Sequence, residues 1–160
     1  MPNFRYSSLI NATVETVWNF HERPDILQLL TPPWQPVKII RHEGGLDVGA
    51  VSEFRLLLGP IPVKWVATHT ECEQYRLFVD EQTEGPMARW VHRHEFTAEN
   101  GKTRLTDAIL FEGFANAFSI PGGPIVDLLL GWWVEMRLTD MFRYRHEVTK
   151  RECEKNANNG

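Results

Sequence analysis

The sequence predicts an α+β domain in which a seven-stranded, curved antiparallel sheet wraps around one long C-terminal helix. Three observations carry this. From 125 to 150 no proline occurs, and Ile125, Leu128, Leu129, Trp132, Met136 and Thr139 recur at spacings of three and four, the period of a helix. From Trp34 onward the pattern changes to period two, in short stretches cut by glycine, proline and asparagine turns. Two short helical segments stand directly after the first β stretch.

In chain order, 4–10 is a short strand. Asn11 or Thr13 suits a helix N-cap, and Val14, Val17, Trp18 and His21 then share one helical face. Arg23-Pro24 breaks that helix, because the residue before proline is pushed out of helical geometry. Pro24 and Asp25 open a second short helix through Ile26, Leu27, Leu29 and Leu30, which Thr31-Pro32-Pro33 stops. Val37, Ile39 and Arg41 run to a turn at Gly44-Gly45. The strand 51–58 ends at Gly59-Pro60-Ile61-Pro62, and Val63, Trp65, Ala67 and His69 alternate against polar neighbours. Strands at 76–82 and 88–97 are joined across Glu84-Gly85-Pro86. Asn100-Gly101 is a strong hairpin signal, and 103–112 follows it. Such short connections make the sheet antiparallel and meandering. The long helix, 123–150, has Pro124 at a first helical position and Asp127 in its first turn, with Val134, Leu138, Met141 and Phe142 widening its apolar side. Strand, two short helices, six strands and a long helix is the order of a helix-grip fold.

At 160 residues one domain is expected, spanning 1–155, with 156–160 a disordered tail. A net charge of −4 supplies no basic field, so no nucleic-acid partner is expected. Cys72 and Cys153 form neither a disulfide framework nor a metal-site spacing. No signal peptide or transmembrane segment is visible, so a cytoplasmic protein is expected; a homodimer is left open.

Several pieces of the chain are familiar: Val14-Glu15-Thr16-Val17-Trp18, Leu30-Thr31-Pro32-Pro33-Trp34, Phe78-Val79-Asp80-Glu81-Gln82, Gly85-Pro86, Trp90-x-His92-x-His94-x-Phe96, Thr106-Asp107, and Phe142-Arg143-Tyr144-Arg145. Together they resemble the START-like SRPBCC superfamily, with its polyketide cyclase/dehydrase-like members, and within it a small stand-alone bacterial protein. The resemblance implies a helix-grip fold and leaves function open, because carriers, cyclases, hydrolases and steroid binders share that scaffold.

The chemistry-bearing residues collect on one strand. Trp90, His92, His94 and Phe96 share a face, and the opposite face carries Arg89, Arg93 and Glu95, so the first set points inward. If the Asn100-Gly101 turn pairs Ala98 with Thr103, then His94 lies opposite Asp107 and His92 opposite Ile109; Leu105 and Phe111 also face inward. A corresponding turn at Glu84-Gly85-Pro86 places Phe78 beside His92 and Asp80 beside Trp90, with Gln82 on the same face.

Burying His92, His94, Asp107 and Asp80, with Gln82 and His69 near by, is costly unless they pair with one another, with water or with a ligand. One reading is a satisfied His94–Asp107 pair with a purely structural role. The other is the polar floor of a cavity whose walls are Trp65, Phe78, Trp90, Phe96, Ile109, Phe111, Trp132 and Met136. The leading expectation is binding or transport of a small hydrophobic or aromatic molecule. The runner-up is a cyclase/dehydratase-like enzyme using His94 and Asp107 as an acid–base pair. The third reading is a protein-interaction module whose interior is filled by its own side chains. His-x-His with Asp107 could supply three metal ligands, but both imidazoles must converge and no second carboxylate is clearly placed, so no metal or cofactor is expected. Nucleophilic catalysis is weaker, since Cys72 falls on the outward set of its strand. The loop 113–123, with its glycines and phenylalanines, suits a lid over the cavity mouth, opposed by 59–62.

Overall fold

The computed structural model describes residues 3–114 and 123–155. Seven strands, β1 (Phe4–Ile10), β2 (Val37–Glu43), β3 (Val51–Leu58), β4 (Ile61–Glu73), β5 (Leu77–Glu84), β6 (Met87–Glu99) and β7 (Lys102–Phe114), form a single antiparallel sheet. Its order is β1-β7-β6-β5-β4-β3-β2. Helices α1 (Val14–His21) and α2 (Ile26–Leu29) follow β1, and α3 (Gly123–Glu154) closes the chain. This is the helix-grip arrangement, with α3 packed on β1, β7 and α1.

Local chemistry accounts for the elements that set the site. Thr13 caps α1, its Oγ1 accepting from the Thr16 amide at 3.3 Å. That orients Val17 and Trp18 into the interior, where Trp18 packs edge-on to Phe78 and Phe96 at centroid distances of 5.9 and 5.2 Å. Between β6 and β7, Asn100 (φ 51°) and Gly101 (φ 77°) both adopt left-handed geometry, the conformation of a two-residue hairpin turn. The turn pairs Ala98 with Thr103 and therefore His94 with Asp107 and His92 with Ile109, the register expected from the sequence.

The β5–β6 register differs from expectation by two residues. Phe78 pairs with His94 and Asp80 with His92. The Gln82 side chain explains the shift: its Nε2 donates to Met87 O at 2.9 Å and its Oε1 accepts from Met87 N at 3.2 Å. A side chain thus completes the hairpin, and a Cβ on Gly85 would stand 2.3 Å from Gln82 Oε1 and displace the Gln82 side chain from this position. A two-residue shift preserves the facing of every side chain.

On β4 the facing does change. The register slips between His69 and Glu71, so Cys72 pairs with Phe78 and packs against the core rather than facing outward. The connection 59–62 also shrinks, since Leu58 pairs with Ile61 and only Gly59-Pro60 turns.

The long helix runs past its expected end to Glu154 and buries a different stripe. Leu138, Phe142, His146, Thr149 and Cys153 are buried, whereas Leu128, Trp132 and Met136 are 73, 63 and 41 % exposed. Met136 is six residues from Phe142, which at about 100° per residue puts it about 120° round the helix. The expected lid at 113–123, apart from its end residues, and the expected tail at 156–160 lie outside the described residues.

Candidate functional site

Six polar side chains from five elements meet in the interior. The two-residue period of β6 places His92 and His94 one above the other, their ring centroids 3.7 Å apart. Asp107 on β7 lies behind both rings: its Oδ1 is 2.8 Å from His92 Nε2 and 2.8 Å from His94 Nδ1. Its Oδ2 accepts from His146 Nε2 of α3 at 2.6 Å. Ser8 of β1, 2.5 Å from His146 Nδ1, completes that line from the outer strand. Asp80 on β5 approaches from the other side, its Oδ2 3.1 Å from His94 Nε2 and 3.6 Å from His92 Nδ1.

Burial pushes the Asp107 carboxyl up, but the charge on His94 and the three imidazole hydrogen bonds outweigh it and hold the group well below the carboxylate range. Asp80 is lowered for the same reason, burial being outweighed by its hydrogen bond to His94 and the neighbouring imidazoles. For His94, burial opposes protonation, yet the two carboxylates raise it to about 9. His92 goes the other way, lowered by burial and by the charge of His94. At neutral pH, then, an imidazolium sits between two carboxylates with a neutral imidazole packed against it at a tilt of 37°.

This cluster closes one end of a cavity of about 300 Å³. Phe54, Trp65, Phe78, Trp90, Trp133 and Phe142 supply aromatic wall, and Leu30, Leu57 and Gly59 stand around it from the C-cap of α2, the end of β3 and the β3–β4 turn. Asp80, His92 and His94 reach the cavity surface, whereas Asp107 and His146 do not. Arg145 also lines it, donating to the Leu30 carbonyl at 3.3 Å and lying 5.3 Å from the Phe142 ring centroid.

A model of the family described as polyketide cyclase/dehydrase and lipid transport matches residues 10–148. The chain belongs to this family. A search of curated proteins found no match. Among solved structures, a protein from Thermus thermophilus is 17 % identical with a TM-score of 0.68, the match covering 91 % of this chain and 95 % of that one. The ginseng (Panax ginseng) major latex-like protein 151 is 9 % identical with a TM-score of 0.63, over 93 and 95 % of the two chains. A Corynebacterium glutamicum protein described as a nucleoside-diphosphate sugar epimerase is 25 % identical with a TM-score of 0.70; the match covers 95 % of this chain but 29 % of that longer one. These likenesses place the helix-grip fold.

In this polyketide cyclase/dehydrase family member, Trp65, Phe78, Asp80, Trp90, His92 and His94 all line the cavity. Others named from the sequence stand elsewhere. Phe96 is in the core beside Trp18, Ile109 packs in the cluster around Phe142, and Phe111 lies 6.2 Å from Trp90. Trp132 and Met136 point away from the cavity, and Trp133, Leu138, Met141 and Phe142 take their place. Asp107 touches the histidines from behind rather than the cavity.

Sequence reasoning missed His146, Arg145 and the cavity-facing role of His21. The stripe Leu138-Phe142-His146-Thr149-Cys153 carries a signal for His146, a histidine at helical spacing among buried residues, but nothing local names its partner. Among the described residues, no helix is long and apolar enough to cross a membrane.

Proposed function

We propose that the protein, as one domain spanning residues 1–155, binds a small hydrophobic or aromatic molecule in the cavity between sheet and α3. The observation that carries this is an aromatic-walled space of about 300 Å³ with His92, His94 and Asp80 at one end. That volume is at the lower end of small-molecule sites, roughly 300–1,000 Å³. Apolar walls supply affinity through area removed from water, and the polar end fixes orientation. An interior packed with its own side chains would instead suit an interaction module.

The test is native mass spectrometry of protein purified without stripping, followed by titration of the ligand so identified into wild type and Ala67→Trp. Ala67 is buried on β4 and lines the cavity. The larger ring is expected to weaken binding tenfold or more; unchanged affinity would move the site elsewhere.

A second reading has an observation in its favour. His94 reaches the cavity and is charged at neutral pH, and the Nε2 proton that it shares with Asp80 can pass to a bound carbonyl or leaving hydroxyl, as a cyclase or dehydratase requires. In that chemistry Asp107 is a positioning residue. His94→Gln would then abolish turnover of the identified ligand while leaving its binding within a few-fold; an absence of any conversion by wild type leaves the carrier.

A further inference from the structure

We propose that Asp80, His92 and His94 form a site for a divalent transition-metal ion at the polar end of the cavity. One ligand atom from each residue lies within 4.8 Å of the other two. The edges from Asp80 Oδ2 are 3.1 Å to His94 Nε2 and 3.6 Å to His92 Nδ1. Ligands of a tetrahedral zinc ion, at about 2.0–2.2 Å from the metal, stand roughly 3.3–3.6 Å from one another. The two edges from Asp80 are thus close to the separation that an ion between the donors requires, and the third, between the two imidazole nitrogens, is within 4.8 Å.

The opposite sides of the two rings carry the stronger argument. His92 Nε2 and His94 Nδ1 both point to Asp107 Oδ1 at 2.8 Å, so each ring directs its other nitrogen toward Asp80. Asp107 is itself held by His146, and His146 by Ser8. A carboxylate behind a ligating imidazole fixes the tautomer and ring orientation and raises the ring's basicity, the usual outer arrangement of a metal-binding histidine. Here one buried carboxylate does this for two histidines. Arg145, which lines the same cavity from α3, hydrogen-bonds the Leu30 carbonyl rather than either carboxylate.

Asymmetry of exposure sets the chemistry. The three donors line the cavity and the orienting pair does not. An ion there would keep its remaining coordination positions on the cavity side, where an oxygen of a bound molecule can reach it. Its binding replaces the proton shared by His94 Nε2 and Asp80 Oδ2, which leaves to solvent. Two imidazoles and one carboxylate suit Zn²⁺, Fe²⁺ or Co²⁺, whereas Ca²⁺ and Mg²⁺ prefer oxygen alone. The sequence reading that disfavoured metal took Asp107 as the third ligand; the β5–β6 register supplies Asp80 instead and leaves Asp107 behind the rings.

The test uses the full chain stripped with a chelator, with no organic ligand present, so that its result is independent of the cavity's occupant. Zn²⁺ is titrated in competition with a chromogenic chelator, and Co²⁺ is followed by its visible absorption. One Zn²⁺ per chain at micromolar or tighter Kd is expected, with no competition from Ca²⁺ or Mg²⁺ at a hundredfold excess. Asp80→Asn, His92→Gln and His94→Gln should each weaken binding at least tenfold, and Asp107→Asn should do so by about 10–100-fold without changing stoichiometry. Should a variant fail to fold, the wild-type cobalt spectrum decides, because a four-coordinate site with nitrogen ligands absorbs far more strongly than hydrated Co²⁺. Absence of stoichiometric Zn²⁺ binding by wild type, or undiminished binding by the folded Asp80→Asn, His92→Gln and His94→Gln variants, overturns the proposal.

Discussion

Asp107 is the residue on which the interior depends most. It is 4 % exposed and meets His92, His94 and His146. Asp107→Asn keeps the shape but removes the counter-charge of a buried imidazolium. Removing one partner of a buried ion pair costs roughly 3–5 kcal/mol, and urea unfolding should show a loss of that order. A loss under about 1 kcal/mol would mean that His94 is neutral in the fold. The His94–Asp107 pairing was legible in the sequence because Asn100-Gly101 fixes the hairpin register. His146 was not, since nothing within 39 residues of chain says which strand a helix will face.

Two histidines with opposite shifts give stability a maximum in pH. His21 is buried against Phe78 and Phe96 and donates to the Val17 carbonyl; burial lowers it from 6.5 to about 4. Its neutral form is favoured in the fold, so its contribution is complete above 6.5 and lost as pH falls from there toward 4. The lowered Asp80 and Asp107 act in the same direction under acid. His94 is raised from 6.5 to about 9, so its contribution is complete below 6.5 and lost as pH rises through 9. Thermal melts in chelator-treated buffer should therefore peak near pH 6.5, with each shift worth roughly 3 kcal/mol when fully lost. A flat profile from pH 5 to 9 would contradict both assignments.

For elements, the lesson is in α3. Its helical period was plain, but period alone does not choose between two apolar stripes on one cylinder. The stripe through Leu128, Trp132 and Met136 is the more conspicuous in the sequence and is the exposed one. The buried stripe mixes Phe142 with His146 and Thr149, polar residues that read as surface until their partners across the helix–sheet contact are known. Phe142→Ala is expected to cost about 3–5 kcal/mol, as for a fully buried aromatic, while Trp132→Ser should stay within about 0.5 kcal/mol. Chemical denaturation of both variants checks this, and equal losses would put the helix in the other rotation. The β5–β6 hairpin was misread for a related reason: Gln82 does the work of a backbone turn with its side chain, which no turn-residue pattern encodes.

At the scale of the whole molecule the fold was legible, because element order follows from two periodicities and a few turns. The cavity was legible only in outline: its aromatic and polar strands could be named, but its volume and far wall depend on how α3 is rotated and how α2 is placed. The sheet order carries a further consequence, for the route by which the chain folds. Strands β2 to β7 join by short hairpins, whereas β1 pairs with β7 across the whole series of intervening strands, with the Ser7 and Thr106 hydroxyls in contact from 99 residues apart. Among the strand pairings, closing so long a loop is entropically the most demanding, so the hairpin series should form in the transition state and β1 dock after it. Ile10→Val, a buried substitution costing about 1 kcal/mol, should then quicken unfolding and leave the folding rate nearly unchanged in stopped-flow measurements; slowed folding would place β1 in the nucleus. Since Ser8 of that strand steadies His146, the histidine cluster would acquire its final geometry only in the last step of folding.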